Sequence, residues 1–184
     1  MNARVRFKPK ADKIVEAILY LAHKGLDLDQ YKLVKLLYLA DRAHFQRFGR
    51  PITFDKYVAM QFGPVASNAY DMVRKRSALG VTPDKLPFDI EQHDKIFLVR
   101  KPLREVDTSL FSRSDLHILD ETVAEYGDKS FDQLFEITHD HFAYDRAWKN
   151  RTSLADEMRF EDFLEEDASK PGKVSDLEFI SRGM

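Results

Sequence analysis

The stretch that most restricts the fold is DQYKLVKLLYLADRAHFQRF, Asp29 to Phe48. At helical spacing Leu33, Leu36, Leu37, Ala40 and His44 fall on one stripe, while Val34, Tyr38 and Phe45 fall on another. A helix that is apolar on two sides has to be covered on two sides. The stretch therefore predicts a helix buried at the centre of its domain, with Lys32, Lys35 and Arg42 sharing the polar edge that remains. Gly49 and Pro51 end it.

The other elements are read relative to this one. A first helix is predicted from about Ala11 to Lys24, stopped by Gly25. FDKYVAMQF, Phe54 to Phe62, is ambiguous between strand and helix. In the next stretch, QFGPVASNAY, Gly63 provides a sharp entry and Pro64 is expected to open a helix to about Lys75, since proline lacks only an N–H that a first turn leaves unbonded. Leu79 to Asp94, with Gly80, Pro83 and Pro87, reads as a loop. KIFLVRK, Lys95 to Lys101, is the best strand, and its expected partner in a small antiparallel ribbon is Leu103–Val106 or Tyr57–Phe62. Ser112 with Asp115, and Ser130 with Gln133, form capping boxes at the start of two helices. Further helical segments are predicted over Phe142 to about Lys149 and over Met158 to Glu166. The fold class is mostly α, formally α+β. It comprises a flexible basic arm over 1–10, one compact helical domain over 11–166, and a polar, loosely held tail over 167–184.

Composition excludes several functions. The 184 residues, 43% of them hydrophobic, suffice for a single core. There is no cysteine, which removes disulfides, thiolate metal sites and a cysteine nucleophile and fits a reducing cytoplasm. The apolar run Ala17 to Ala22 is far shorter than the ~20 residues that cross a bilayer. The formal charge is −2, but residues 1–50 carry eleven Lys and Arg against five acids and residues 153–184 carry four against nine. Solvated helix faces and a polar tail account for that asymmetry, and nucleic acid is not an expected partner. The seven glycines never come closer than eleven residues, which excludes a glycine-rich phosphate loop.

One constellation has the right chemistry for a metal. THDHF, Thr138 to Phe142, places His139 and Asp140 together, with His117 or His44 upstream and Asp145 or Asp156 downstream, as in helical metal-dependent HD phosphohydrolases. On a continuous helix, however, His139 and His141 point about 200° apart and cannot share one ion. A hydrogen-bonded helix terminus is the simpler reading, and no metal or other cofactor is expected.

In combination, KLVKLLYLADRAHFQRFGRPIT (Lys32 to Thr53), FGPVASNAY, and SRSDLHILDETVAEYG followed by a serine, a leucine, ITH and a tryptophan resemble the Panacea domain, the SocA-like antitoxin family. The similarity runs from about Ala11 to Glu165. It implies an antitoxin of a bacterial or phage toxin–antitoxin pair that neutralises its toxin by direct protein contact and is not an enzyme. Many members carry an added DNA-binding segment, for which this chain is expected to have no room. The family's motif positions correspond to Leu36, Leu37, Tyr38, Gly63, Pro64 and Val65, taken as scaffold. Candidate toxin contacts are the exposed members of Tyr57, Gln61, Phe62, Asn68 and Tyr70 around the Gly-Pro turn, with Lys35 and Arg42 on the helix edge. The alternatives are the metal phosphohydrolase and an adaptor that delivers a bound protein to a protease. Self-association is left open.

Overall fold

The computed structural model describes residues 5–164 and 170–181. In chain order the elements are α1 (Ala11–Ala22), β1 (Leu28–Asp29), α2 (Gln30–Phe48), β2 (Tyr57–Met60), β3 (Gly63–Ala66), α3 (Ser67–Val73), β4 (Phe88–His93), β5 (Ile96–Pro102), α4 (Arg113–Tyr126), α5 (Phe131–His139), α6 (Phe142–Lys149), β6 (Asp156–Glu157) and α7 (Lys170–Ser181). The fold is α+β. Among the described residues the strands form two three-stranded antiparallel sheets, ordered β1-β5-β4 and β3-β2-β6. No helix among them is long and apolar enough to cross a membrane.

Both ends of α2 are chemically closed. The Asp29 carboxylate accepts from Lys32 N, and Gly49, in the left-handed region at φ 74°, returns its N–H to Phe45 O. Leu33, Leu36, Leu37 and His44 are buried on one side of the helix, and Val34, Tyr38 and Phe45 on the other. Lys35 departs from the expected polar edge, because it is only 2% exposed. Its amine turns inward to the carbonyl oxygen of Pro64, 2.9 Å away, so the apolar stem packs in the interior while the head group is hydrogen-bonded.

Three buried carboxylates tie the elements together. Asp115, in the first turn of α4, closes the capping box with Ser112 and also takes Lys13 Nζ of α1 at 2.8 Å. Its other oxygen lies 3.0 Å from His44 Nε2 of α2 and 2.9 Å from Arg50 Nη1, as charge contacts rather than aligned hydrogen bonds. Burial alone would raise its pKa, but His44 beside it and the hydrogen-bonded Lys13 amine hold the carboxyl well below the usual carboxylate range. Asp41 of α2 accepts from Ile52 N, Thr53 N, the Thr53 hydroxyl and the Tyr57 hydroxyl, which fixes the chain leading into β2. Asp55 accepts from Asn68 N and Ala69 N at 3.1 and 3.0 Å.

The Asp55 contacts explain why the expected helix start at Pro64 is wrong. Pro64 lies in the edge strand β3 opposite Ala59, a place where its missing N–H costs no ladder bond, and α3 begins only at Ser67. The orphan amides of α3 are capped by a carboxylate thirteen residues earlier instead of by a local proline turn. The loop expected over Leu79–Asp94 likewise contains β4, whose polar end Glu91–His93 conceals a strand with only Phe88 buried. The partners of β5 are β4 and β1, not Leu103–Val106 or Tyr57–Phe62. The segment left ambiguous becomes β2.

The expected basic arm is seated from Val5 onward. Val5 is buried, and the Phe7 ring stands edge-on to Phe45, Phe54 and Phe160. Arg4 of that arm lies outside the described residues, as do 165 and 166 at the end of the expected domain and 167–169 and 182–184 of the tail. The described part of the tail is α7. Its Leu177 is buried so close to Gly49 that a Cβ there would come within 2.7 Å of Leu177 Cδ2.

Replacing Asp115 by Ala leaves Lys13 buried opposite no charge, and the domain should lose about 3–5 kcal/mol of unfolding free energy in urea titrations. The pair Asp115→Leu with Lys13→Met should recover much of that loss. A single-variant change under about 1 kcal/mol would show that the buried contact is dispensable.

Candidate partner-binding site

The β2–β3 hairpin is hydrogen-bonded by two side chains from other elements, with a third packed beside it. Tyr144 of α6 donates its hydroxyl to Met60 O at 2.9 Å, and His139 Nε2 at the end of α5 lies 3.4 Å from Gln61 O. Lys35 of α2 donates to Pro64 O. Gly63, between these carbonyls, has φ 100°, and a Cβ there would sit 2.6 Å from Lys35 Nζ and 3.1 Å from His139 Cε1. Glycine is required both for the backbone angle and for the room that the amine occupies. Burial lowers the Lys35 pKa from its ordinary 10.5 to about 7.

With its backbone gripped from inside, the tip of the hairpin turns its side chains outward. Gln61 is exposed and Phe62 is 44% exposed. The Phe62 ring meets Tyr31, at the start of α2, with centroids 6.2 Å apart, and Phe131, at the start of α5, at 6.1 Å. Tyr31 and Phe131 meet each other at 5.8 Å and complete a triangle of edge-on rings from three elements. Phe131 is itself 42% exposed, and Phe135 continues the row along α5.

The residues expected to contact a partner divide accordingly. Gln61 and Phe62 lie at the exposed tip. Tyr57 is 2% exposed and bonds to Leu37 O and Asp41, and Lys35 is buried, so neither is accessible at a surface. Asn68 is half-buried, with its amide on Asp55 at 2.6 Å. Tyr70 is half-buried and its hydroxyl accepts from Arg74. Arg42 is half-buried near Tyr38 and Tyr126, and burial lowers its pKa. The motif residues Leu36, Leu37, Tyr38, Gly63, Pro64 and Val65 are all buried. Tyr31 and Phe131 were missed. The available signal was the width of the α5 apolar face, where Phe131, Leu134, Phe135 and Ile137 are too many for one short helix to bury.

The His-Asp constellation is not assembled. The helix ends at His139, with Asp140 as its C-cap and His141 as the N-cap of α6, so the argument from opposed directions on one helix does not apply. The rings are separated by their partners instead. His139 Nδ1 lies 2.7 Å from Phe135 O, and His141 Nδ1 lies 3.2 Å from the Tyr38 hydroxyl. Burial lowers the His141 pKa to about 4. His44 faces Asp115, His117 faces Glu121, Asp145 pairs with Lys149, and Asp156 caps Thr152 and Ser153. Among the described residues, no three His, Asp or Glu side chains are grouped to hold a metal.

The model of the family described as "Antitoxin SocA-like, Panacea domain" matches residues 33–149, from the first turn of α2 to the end of α6. The chain belongs to this SocA-like antitoxin family. No curated protein and no solved structure matches it significantly. The matched part of the Panacea domain includes the hairpin, Lys35, Phe62 and Phe131, while Tyr31 lies just before it.

Between pH 7 and 10.5 the unfolded chain keeps a proton on Lys35 that the folded chain has released, so the stability contribution of this amine should rise with pH across that window. Unfolding of the wild type and of Lys35→Met at pH 7 and pH 9.5 measures it. The wild type should gain on the variant at the higher pH. A difference independent of pH would mean that the amine stays protonated in the fold.

Proposed function

We propose that the chain neutralises a specific toxin of a bacterial or phage toxin–antitoxin pair by direct protein–protein contact, without chemistry of its own. Family membership supports the antitoxin role. The observation that carries the contact mechanism is the pair Phe62 and Phe131, exposed large apolar side chains in ring contact with each other, beside a hairpin backbone bonded by Lys35 and Tyr144. Exposed aromatics on a rigid support act as anchors, because little entropy is lost when they are covered. Neutralisation by occupancy has to be tight. A nanomolar complex needs about −12 kcal/mol, which a standard interface of roughly 1,600 Å² supplies when a few such anchors are present.

On this reading α2 is the structural centre of a domain spanning 11–166, Gln61 and Phe62 contact the toxin, and Arg42, Asn68 and Tyr70 have supporting roles. The reading places both proteins in the cytoplasm and requires no cofactor.

Co-expression with the protein encoded next to this chain tests the proposal. Growth should be rescued from that protein's toxicity, and the two should co-purify. Phe62→Ser should reduce rescue and co-purification together while the melting temperature stays within a few degrees of wild type. Rescue that persists after the complex is lost, or that depends on His139 and Asp140, would replace binding with catalysis.

A further inference from the structure

The chemistry of the toxin surface can be inferred from α5, on the reading of the chain as a toxin-binding antitoxin. Leu134 and Thr138 of this helix are buried. Phe131, Phe135 and His139, four residues apart, form the adjacent row and carry the aromatic contacts. The row beyond is Asp132, Glu136 and Asp140, again four apart, and all three are exposed. α5 contains no Lys or Arg, and none of the three acids has an ion pair or side-chain hydrogen bond among the described residues. The helix dipole accommodates Asp132 in the first turn but offers nothing to Glu136 in the middle. Like charges at this spacing weaken a helix, so folding does not account for the row.

We propose that Tyr31, Phe62 and Phe131, with Asp132, Glu136 and Asp140, form one toxin-facing surface, and that its occupant is a basic segment of the toxin. Apolar groups of that segment cover the rings while its Lys and Arg side chains pair with the acidic row. Charge complementarity selects this occupant over the others. Nucleic acid is repelled by the carboxylates. A second copy of this chain, docked about a two-fold axis through the row, brings its own Asp132, Glu136 and Asp140 against the first set. A protein with complementary basic groups gains both the apolar cover and electrostatic steering.

The test uses the purified protein encoded next to this chain as the probe. Affinity is measured for the wild type, for Glu136→Lys with Asp140→Lys, and for Phe62→Ser with Phe131→Ser, each checked by its melting curve. Each double variant should weaken binding at least about tenfold, the scale of a single hot spot. Wild-type affinity should fall as salt rises, and the charge-reversed variant should show a smaller dependence. Reversing a basic contact residue of the toxin to Glu should restore binding to the Lys variant but not to the wild type. If the apolar variant fails to fold, the charge-reversal arm decides alone. A wild type that rescues and binds, beside variants that bind equally well, overturns this surface and leaves neutralisation by contact standing. A loss of self-association in the variants, with toxin binding intact, overturns it in favour of a face between copies. A wild type that neither binds nor rescues overturns the antitoxin reading, and this surface with it.

Discussion

An amine buried without a carboxylate has to find an oxygen, and in this fold Lys35 finds the carbonyl of Pro64. Much of the neighbouring geometry depends on that bond. The residue beside the carbonyl is glycine, because its φ of 100° disfavours any Cβ, and a Cβ there would also displace the Lys35 amine. The strand has to remain at the sheet edge, because proline offers no N–H to a further neighbour. Tyr144 then holds the Met60 carbonyl with His139 packed against the turn, and Phe62 is left to point outward. The Lys-Leu-Leu-Tyr and Gly-Pro-Val segments, separate in the sequence, thereby form one joint.

The joint rests on a frame of buried acids, each serving more than one element. Asp115 draws α1, α2 and α4 to a single point, Asp41 fixes the chain between α2 and β2, and Asp55 caps α3 across the β2–β3 hairpin. Burying such groups is unfavourable unless every oxygen is served, and here nearly all are. Specificity of packing follows, because no apolar substitute would fix the same directions.

Features made by neighbouring residues were legible in the sequence. The capping boxes at Ser112 and Ser130, the stop at Gly49 and the helix from Phe142 to Lys149 all depend on residues within a few positions of each other. Features made across the chain were not. Nothing near Pro64 announces that Asp55 will cap the helix after it. A lysine reads as surface unless its acceptor is known. Phe131 reads as core because an aromatic at helical spacing usually is core, and only the tip of the hairpin arriving beside it creates the exposed triangle with Tyr31. Of the proposed surface, Gln61 and Phe62 were among the residues singled out from sequence, while their aromatic neighbours and the acidic row were not.

The central claim is that the gripped hairpin and α5 together present the surface that covers the toxin. Backbone hydrogen exchange of the free protein and of its complex with the neighbouring gene's product measures this most directly, since it reads occupancy residue by residue without altering any of them. Slowed exchange is expected over residues 60–63 and over α5, with the amides around Asp115 unchanged. Protection confined to other surfaces, with the hairpin and α5 exchanging as in the free protein, would contradict it.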